Sequence, residues 1–296
     1  MWNMIRLILL FLCLPLMLRA AETRVLFLGD SITQDGRWAT LVEGALRNTD
    51  AYRDAEIVNM GLGSETVSGL SEDGHANGKF PRPDLHERLG RVLAAYKPTL
   101  VFACYGMNDG IYLPLDPQRQ AAHVKGATRL KEAVEKSGGR IIFLSAPLFM
   151  PDTPEKDAQG YDKVLDAYAA WLVSMRAEGW ETVDIRPDLK RAVADAKAID
   201  PAFIYAKDGV HPGGDGHRFI AEAAAKGLWP LLKLPGAPVL PTGDALKILS
   251  ERAGVLEYAW LSETKHLRPG VKAGLPLDEA KKRAAELMVR YKEAAR

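Results

Sequence analysis

Five short apolar runs, each closed by a turn and followed by a stretch of helical period, restrict what this chain can fold into. The runs are Arg24–Gly29, Glu56–Met60, Pro98–Tyr105, Arg140–Ser145 and Thr182–Ile185. The first reads Arg-Val-Leu-Phe-Leu-Gly and the third contains Leu100-Val101-Phe102-Ala103-Cys104, apolar at consecutive positions rather than alternate ones. That pattern belongs to strands covered on both faces. Between them lie amphipathic stretches at 36–47, 83–96, 118–136, 161–178, 189–198 and 216–228. In the first of these, Trp38, Leu41, Val42, Ala45 and Leu46 form one stripe. Strand and helix in alternation predict an α/β fold, a parallel sheet with helices on both faces. No internal repeat is visible. Beyond about residue 235 the rhythm is lost, which divides the chain into a 21–234 domain and a helical extension at 235–296. Helices are predicted over 243–260 and 277–296, and the extension either packs across the main domain or stands in solvent.

The first 20 residues follow other rules. Arg6 precedes an apolar run from Leu7 to Leu18, and Arg19-Ala20-Ala21 supplies small residues for cleavage. A 12-residue run is short for a membrane span and normal for the core of a signal peptide. Residues 1–20 are therefore expected to direct export to a periplasmic or extracellular location, with an uncleaved anchor as the alternative. Removing them takes two arginines and no acids, so the formal charge goes from +1 (39 basic, 38 acidic) to −1 (37 basic, 38 acidic). A near-neutral chain without a basic run is poorly suited to nucleic acid or to an anionic membrane surface. Cys104 is then the single cysteine, so neither an internal disulfide nor a cysteine metal cluster is expected. The histidines show no HxH or HExxH spacing, so neither a metal nor a cofactor is expected.

The chemistry-bearing residues sit where the apolar runs end. Gly29-Asp30-Ser31 closes the first run, Gly61-Leu62-Gly63-Ser64 the second, and Gly106-Met107-Asn108-Asp109 the third. Asp208-Gly209-Val210-His211-Pro212 follows the fifth run and its helix. In open α/β sheets such ends gather on one rim. Ser31 can act as nucleophile, His211 as its base, and Asp208 as the group that fixes the His211 tautomer. The Ser31 N–H, a turn amide at Ser64 or Gly63, and the Asn108 side chain can stabilise an oxyanion. Taken singly, Ser31 reads equally well as a helix cap and Asn108 as a turn residue. Their order at successive strand ends favours a site.

With those residues in place, the chain resembles the SGNH (GDSL-type) hydrolase family of esterases and acylhydrolases. Gly29-Asp30-Ser31-Ile32-Thr33 resembles the family's first block, Gly106-Met107-Asn108-Asp109 its third and Asp208-Gly209-Val210-His211-Pro212 its last. The likeness covers residues 24 to about 230. It implies a three-layer flavodoxin-like sandwich with a five-stranded parallel sheet, a Ser31–His211–Asp208 triad and no metal. The second block departs from the family's Asn-x-Gly-x-x-Gly-Asp-Thr: Asn59-Met60-Gly61-Leu62-Gly63-Ser64-Glu65-Thr66 puts Ser64 where the oxyanion-hole glycine is usual. A backbone N–H survives that change, provided a residue with a Cβ can adopt the turn.

Trp38, Tyr105 and Tyr112, with Phe149 and Tyr161, are expected near the rim, where aromatic faces beside polar loops suit sugar stacking. Ordinary loop packing accounts for them equally well. An exported enzyme with a polar rim and no apolar lid points to a small-molecule or polysaccharide ester, above all a short acyl group such as O-acetyl on carbohydrate. The alternatives are a lipid-directed esterase, lysophospholipase or thioesterase, and a non-catalytic carbohydrate-binding relative.

Overall fold

The computed structural model describes residues 23–151 and 160–295. The expected signal segment lies outside them. Five strands, β1 (Arg24–Gly29), β2 (Glu56–Asn59), β3 (Leu100–Cys104), β4 (Arg140–Leu144) and β5 (Glu181–Val183), form one sheet in the order β2-β1-β3-β4-β5. Every pairing is parallel, and Gly29 at the end of β1 stands opposite Cys104 at the end of β3. The chain runs from β1 to β2 on one side and returns to β3 on the other. The gap between the ends of β1 and β3 is therefore the topological switch point, where such sheets bind ligands.

Helices α1 (Arg37–Arg47), α2 (Leu85–Tyr96), α3 (Pro117–Lys136), α4 (Tyr161–Ser174), α5 (Arg186–Ile199) and α6 (Gly214–Leu231) cover the two faces. The pleat assigns the side chains: Val25 and Phe27 of β1 face a core with Trp38, Val42, Tyr161, Leu165, Ile220 and Leu228. Leu26 and Leu28 face the other, with Leu85, Leu89, Val92, Leu130 and Val134. Asp84 caps α2 through the His86 N–H, and Asp116 caps α3 through the Arg119 N–H, with Pro117 in the first turn.

The C-terminal helices α7 (Gly243–Thr264) and α8 (Leu277–Ala294) pack on this domain. Leu256, Ala259, Trp260 and Leu261 join the second core, and the Trp260 ring meets Tyr96 edge to face at 5.2 Å. Arg252 of α7 reaches the outer side of the edge strand, donating to the Ile57 carbonyl at 3.2 Å and to Glu43 Oε1 at 2.7 Å. An edge carbonyl that would otherwise be exposed is thus satisfied by a side chain.

Candidate active site

β1 delivers Ser31. Gly29 lets the chain turn tightly there, because a Cβ at that position would lie 2.1 Å from Thr33 Oγ1 and 2.7 Å from the Cys104 carbonyl. Asp30 then caps a single helical turn, Ser31–Gln34, by accepting the Ile32 N–H at 3.0 Å. Burial pushes the Asp30 carboxyl up to about 7, against the lowering effect of that hydrogen bond. Ser31 occupies the first helical position, where a backbone N–H has no intrahelical acceptor.

Ser31 Oγ lies 2.8 Å from His211 Nε2, and His211 Nδ1 lies 2.6 Å from Asp208 Oδ2. The other Asp208 oxygen accepts the N–H groups of Val210 (2.9 Å) and His211 (2.8 Å). A tight turn makes this possible: Gly209 has φ +83°, its carbonyl accepts the Met150 N–H, and Ala206 bridges to Pro212. Desolvation works to raise the Asp208 carboxyl, but its hydrogen bonds from the His211 and Val210 amides and the His211 ring outweigh it and hold it below the usual range. An ionised Asp208 facing Nδ1–H leaves Nε2 free to accept the Ser31 proton.

The end of β2 reaches the same place. Asn59 Oδ1 accepts the Gly61 N–H at 2.9 Å, and Asn59 Nδ2 donates to the Thr33 carbonyl at 2.6 Å. Ser64 adopts φ +65°, so a residue with a Cβ does occupy the left-handed turn. Its N–H has no acceptor among the described residues, whereas the Gly63 N–H donates to Gln34 Oε1 at 2.7 Å. Of the two candidate donors in this turn, Gly63 is already engaged. Asn108 Nδ2 donates to the Glu65 carbonyl at 3.1 Å, and Asn108 Oδ1 accepts from Arg82 Nη1 (2.9 Å) and Tyr112 OH (3.1 Å). That fixes the amide with its second N–H uncommitted among the described residues.

The aromatic expectations divide. Tyr112 is at the site, its hydroxyl on Asn108 and its ring tilted against Phe149 and Tyr161. Trp38 is not at the rim: it is fully buried in the first core, edge to face with Phe27 at 5.4 Å. Its place on the inward stripe of α1 puts it there. Tyr105 is likewise buried, on the second face, with its hydroxyl on Glu65 Oε2 at 2.6 Å, because the strand alternation continues one residue past β3. Tyr161 is buried and braces the Asn108 turn, donating to the Met107 carbonyl and accepting the Gly110 N–H.

Arg82 and the Glu65–Arg88 pair were not anticipated. Arg82 binds Glu72 through two nitrogens at 2.6 Å while holding Asn108, and its guanidinium lies 5.2 Å from the Tyr112 ring centre. The flanking Pro81 and Pro83 were the available signal, since they stiffen the loop around a single charged residue. Glu65 and Arg88 are both buried and joined at 2.6 and 2.8 Å, and Arg88 also donates to the Met60 carbonyl. The pair locks the segment after Ser64 onto α2.

A five-stranded parallel sandwich with a hydroxyl, imidazole and carboxylate in a hydrogen-bonded row at its switch point defines an α/β hydrolytic enzyme. The model of the GDSL-like Lipase/Acylhydrolase family matches residues 27–219, and the chain belongs to that family. It is a carboxylic ester hydrolase. The fold is similar to that of Axe2, an acetylxylan esterase from Geobacillus stearothermophilus (20% identity, 70% of this chain and 94% of that one, TM-score 0.51). It is also similar to LAE5, an alpha/beta hydrolase enzyme from the metagenome of Lake Arreo, Spain (23% identity, 70% and 95%, TM-score 0.52). No curated protein sequence matches the chain.

Proposed function

We propose that this protein is an exported serine esterase that removes short acyl groups, chiefly O-acetyl, from carbohydrate. The observation that carries the catalytic part is the unbroken row Ser31 Oγ, His211 Nε2, His211 Nδ1, Asp208 Oδ2, with separations of 2.8 and 2.6 Å. His211 Nε2 takes the Ser31 proton as Oγ attacks the ester carbonyl. The N–H groups of Ser31 and Ser64 and the free N–H of Asn108 receive the developing oxyanion. Protonated His211 passes its proton to the departing sugar oxygen, leaving an acetyl ester on Ser31. Water then loses a proton to His211, attacks that ester, and releases acetate and the serine hydroxyl.

Export rests on the sequence of residues 1–20. Among the described residues no helix is long and apolar enough to cross a membrane. The carbohydrate reading is supported by the polar groups on the proposed oxyanion turns, Gln34 on Gly63 and Arg82 and Tyr112 on Asn108, and by the acetylxylan esterase activity named for the fold neighbour Axe2. The test is a chain-length series of aryl esters together with acetylated xylan. Highest kcat/KM on acetyl esters, with acetate released from xylan, supports the reading; a preference for chains of eight or more carbons refutes it.

A further inference from the structure

The connector between α7 and α8 brings Arg268 to the Ser64 turn. A Cβ at Gly63 would lie 3.1 Å from Arg268 Nε and 3.2 Å from Arg268 Nη2, so the guanidinium rests directly on the backbone one residue before Ser64. Its carbon lies 5.4 Å from the Phe80 ring centre. The neighbouring arginines all have acids: Arg82 has Glu72, Arg88 has Glu65, and Arg91 has Glu87. Arg268 has no carboxylate within 4 Å among the described residues. Its one hydrogen bond there goes from Nη1 to the carbonyl of the next residue, Pro269, and its buried Nε has no partner. Beside it a cavity of about 490 Å³, a volume in the range of small-ligand sites, is lined by Leu62, Phe80, Arg82, Arg88 and His266. Its acids Glu65, Glu87 and Asp84 are already engaged by Arg88, Arg91 and the His86 N–H.

We propose that Arg268 is a carboxylate-binding residue of the ester site, making the preferred substrate an acylated acidic sugar such as a uronic acid unit. The substrate class rests on the carbohydrate reading above. Arg268 is half-buried, and its sequestered Nε–H lacks an acceptor among the described residues, which is costly to keep; a planar carboxylate is the partner its fork geometry fits. The arginine belongs to the segment beyond residue 219, outside the family match, so the extension supplies specificity to a site whose other parts come from the sheet rim.

The experiment compares an O-acetylated methyl glucuronide with the corresponding acetylated methyl glucoside for the wild type, Arg268→Gln and Arg268→Lys. It also measures inhibition of aryl acetate hydrolysis by free glucuronate and by glucose. The wild type is expected to favour the acidic ester. In R268Q the acidic-to-neutral ratio of kcat/KM falls about tenfold, mostly through KM, as expected for one lost charge-assisted contact, and R268K keeps part of it. The inhibition constant of glucuronate rises by a similar factor. A ratio and a glucuronate inhibition constant unmoved in R268Q would overturn the proposal. If neither sugar ester is hydrolysed, the carbohydrate reading fails, and glucuronate inhibition still decides the role of Arg268 on its own.

Discussion

Asn59 Nδ2 donates to the carbonyl of Thr33 at 2.6 Å, joining the end of β2 to the single helical turn that carries Ser31. The same side chain accepts the Gly61 N–H, so one residue sets the Ser31 turn and the Ser64 turn against each other. Asn59→Ala breaks both bonds and leaves buried groups unpaired. It is expected to lower kcat more than it raises KM, and to cost about 2 kcal/mol of stability. Steady-state kinetics on an aryl acetate and urea unfolding test this; an unchanged kcat would refute the linkage.

Ser31→Ala removes the proposed nucleophile without touching the core. Its kcat is expected to fall at least about 10⁴-fold, with the circular dichroism spectrum unchanged. Asp208→Asn preserves the shape of the 206–212 turn while losing the charge opposite Nδ1. A fall of roughly 10³-fold is expected. Near-wild-type turnover in either variant would remove the assignment of these roles.

Ser64 holds φ +65°, a conformation that costs a residue with a Cβ about 1 kcal/mol. Ser64→Gly keeps the backbone N–H and relieves that strain. Its thermal midpoint is expected to rise, by a few degrees at most, since glycine also gains freedom when unfolded. A lowered midpoint would mean that the Ser64 hydroxyl contributes a stabilising contact.

Glu257 of α7 is buried, with Asn59 Nδ2 at 3.4 Å from its Oε2 and no partner for Oε1. Burial, with a smaller push from Asp35, raises it from 4.5 to about 9. The folded state therefore binds a proton that the unfolded chain has released between those values. Stability from this group is fully present below pH 4.5 and declines as the pH rises towards 9. Glu257→Gln removes that slope. Melting temperatures of the two proteins should converge near pH 5, and the variant should be the more stable at pH 9. Parallel pH curves would refute it.

Arg252 joins the buried Glu43 to the Ile57 carbonyl, with Arg47 Nε on the same Glu43 oxygen at 2.8 Å. Arg252→Met leaves Glu43 with one cation and the carbonyl with none. A loss of about 3 kcal/mol is expected in chemical denaturation. A loss below about 0.5 kcal/mol would show that Arg47 alone suffices, contrary to what one lost buried pairing costs.

The fold was legible because both-face burial leaves a strong mark. A strand such as Val25-Leu26-Phe27-Leu28 has few alternatives, and the turn that follows it is written in Gly-Asp-Ser. Boundaries were blurred where local signals were indirect. Helix α5 begins at Arg186 rather than 189 because Pro187 is favourable in a first turn, and the predicted 161–178 helix tightens to a 3₁₀ turn at Met175–Glu178. Residue type alone favours the rim for Trp38 and Tyr105, whereas the helical stripe and the strand alternation each point inward, and both residues are buried. Arg82, Arg88 and Arg268 left no comparable mark. Their partners lie 10 to 26 residues away for Arg82 and 23 to 28 for Arg88, and Arg268 meets Gly63 through the packing of α7. Pairings at that range follow from the assembled fold, which no local period encodes.

Asp208 and His211 stand three residues apart on one short turn closed by the Ala206–Pro212 bridge. Carboxylate and imidazole thus share one turn whose internal hydrogen bonds need nothing from the sheet. Displacing the turn by an ångström alters the reach to Ser31 while the carboxylate–imidazole dyad stays intact. The distance from that pair to Ser31 therefore rests on the contacts the turn makes with the rest of the domain, among them the Gly209 carbonyl held by the Met150 N–H.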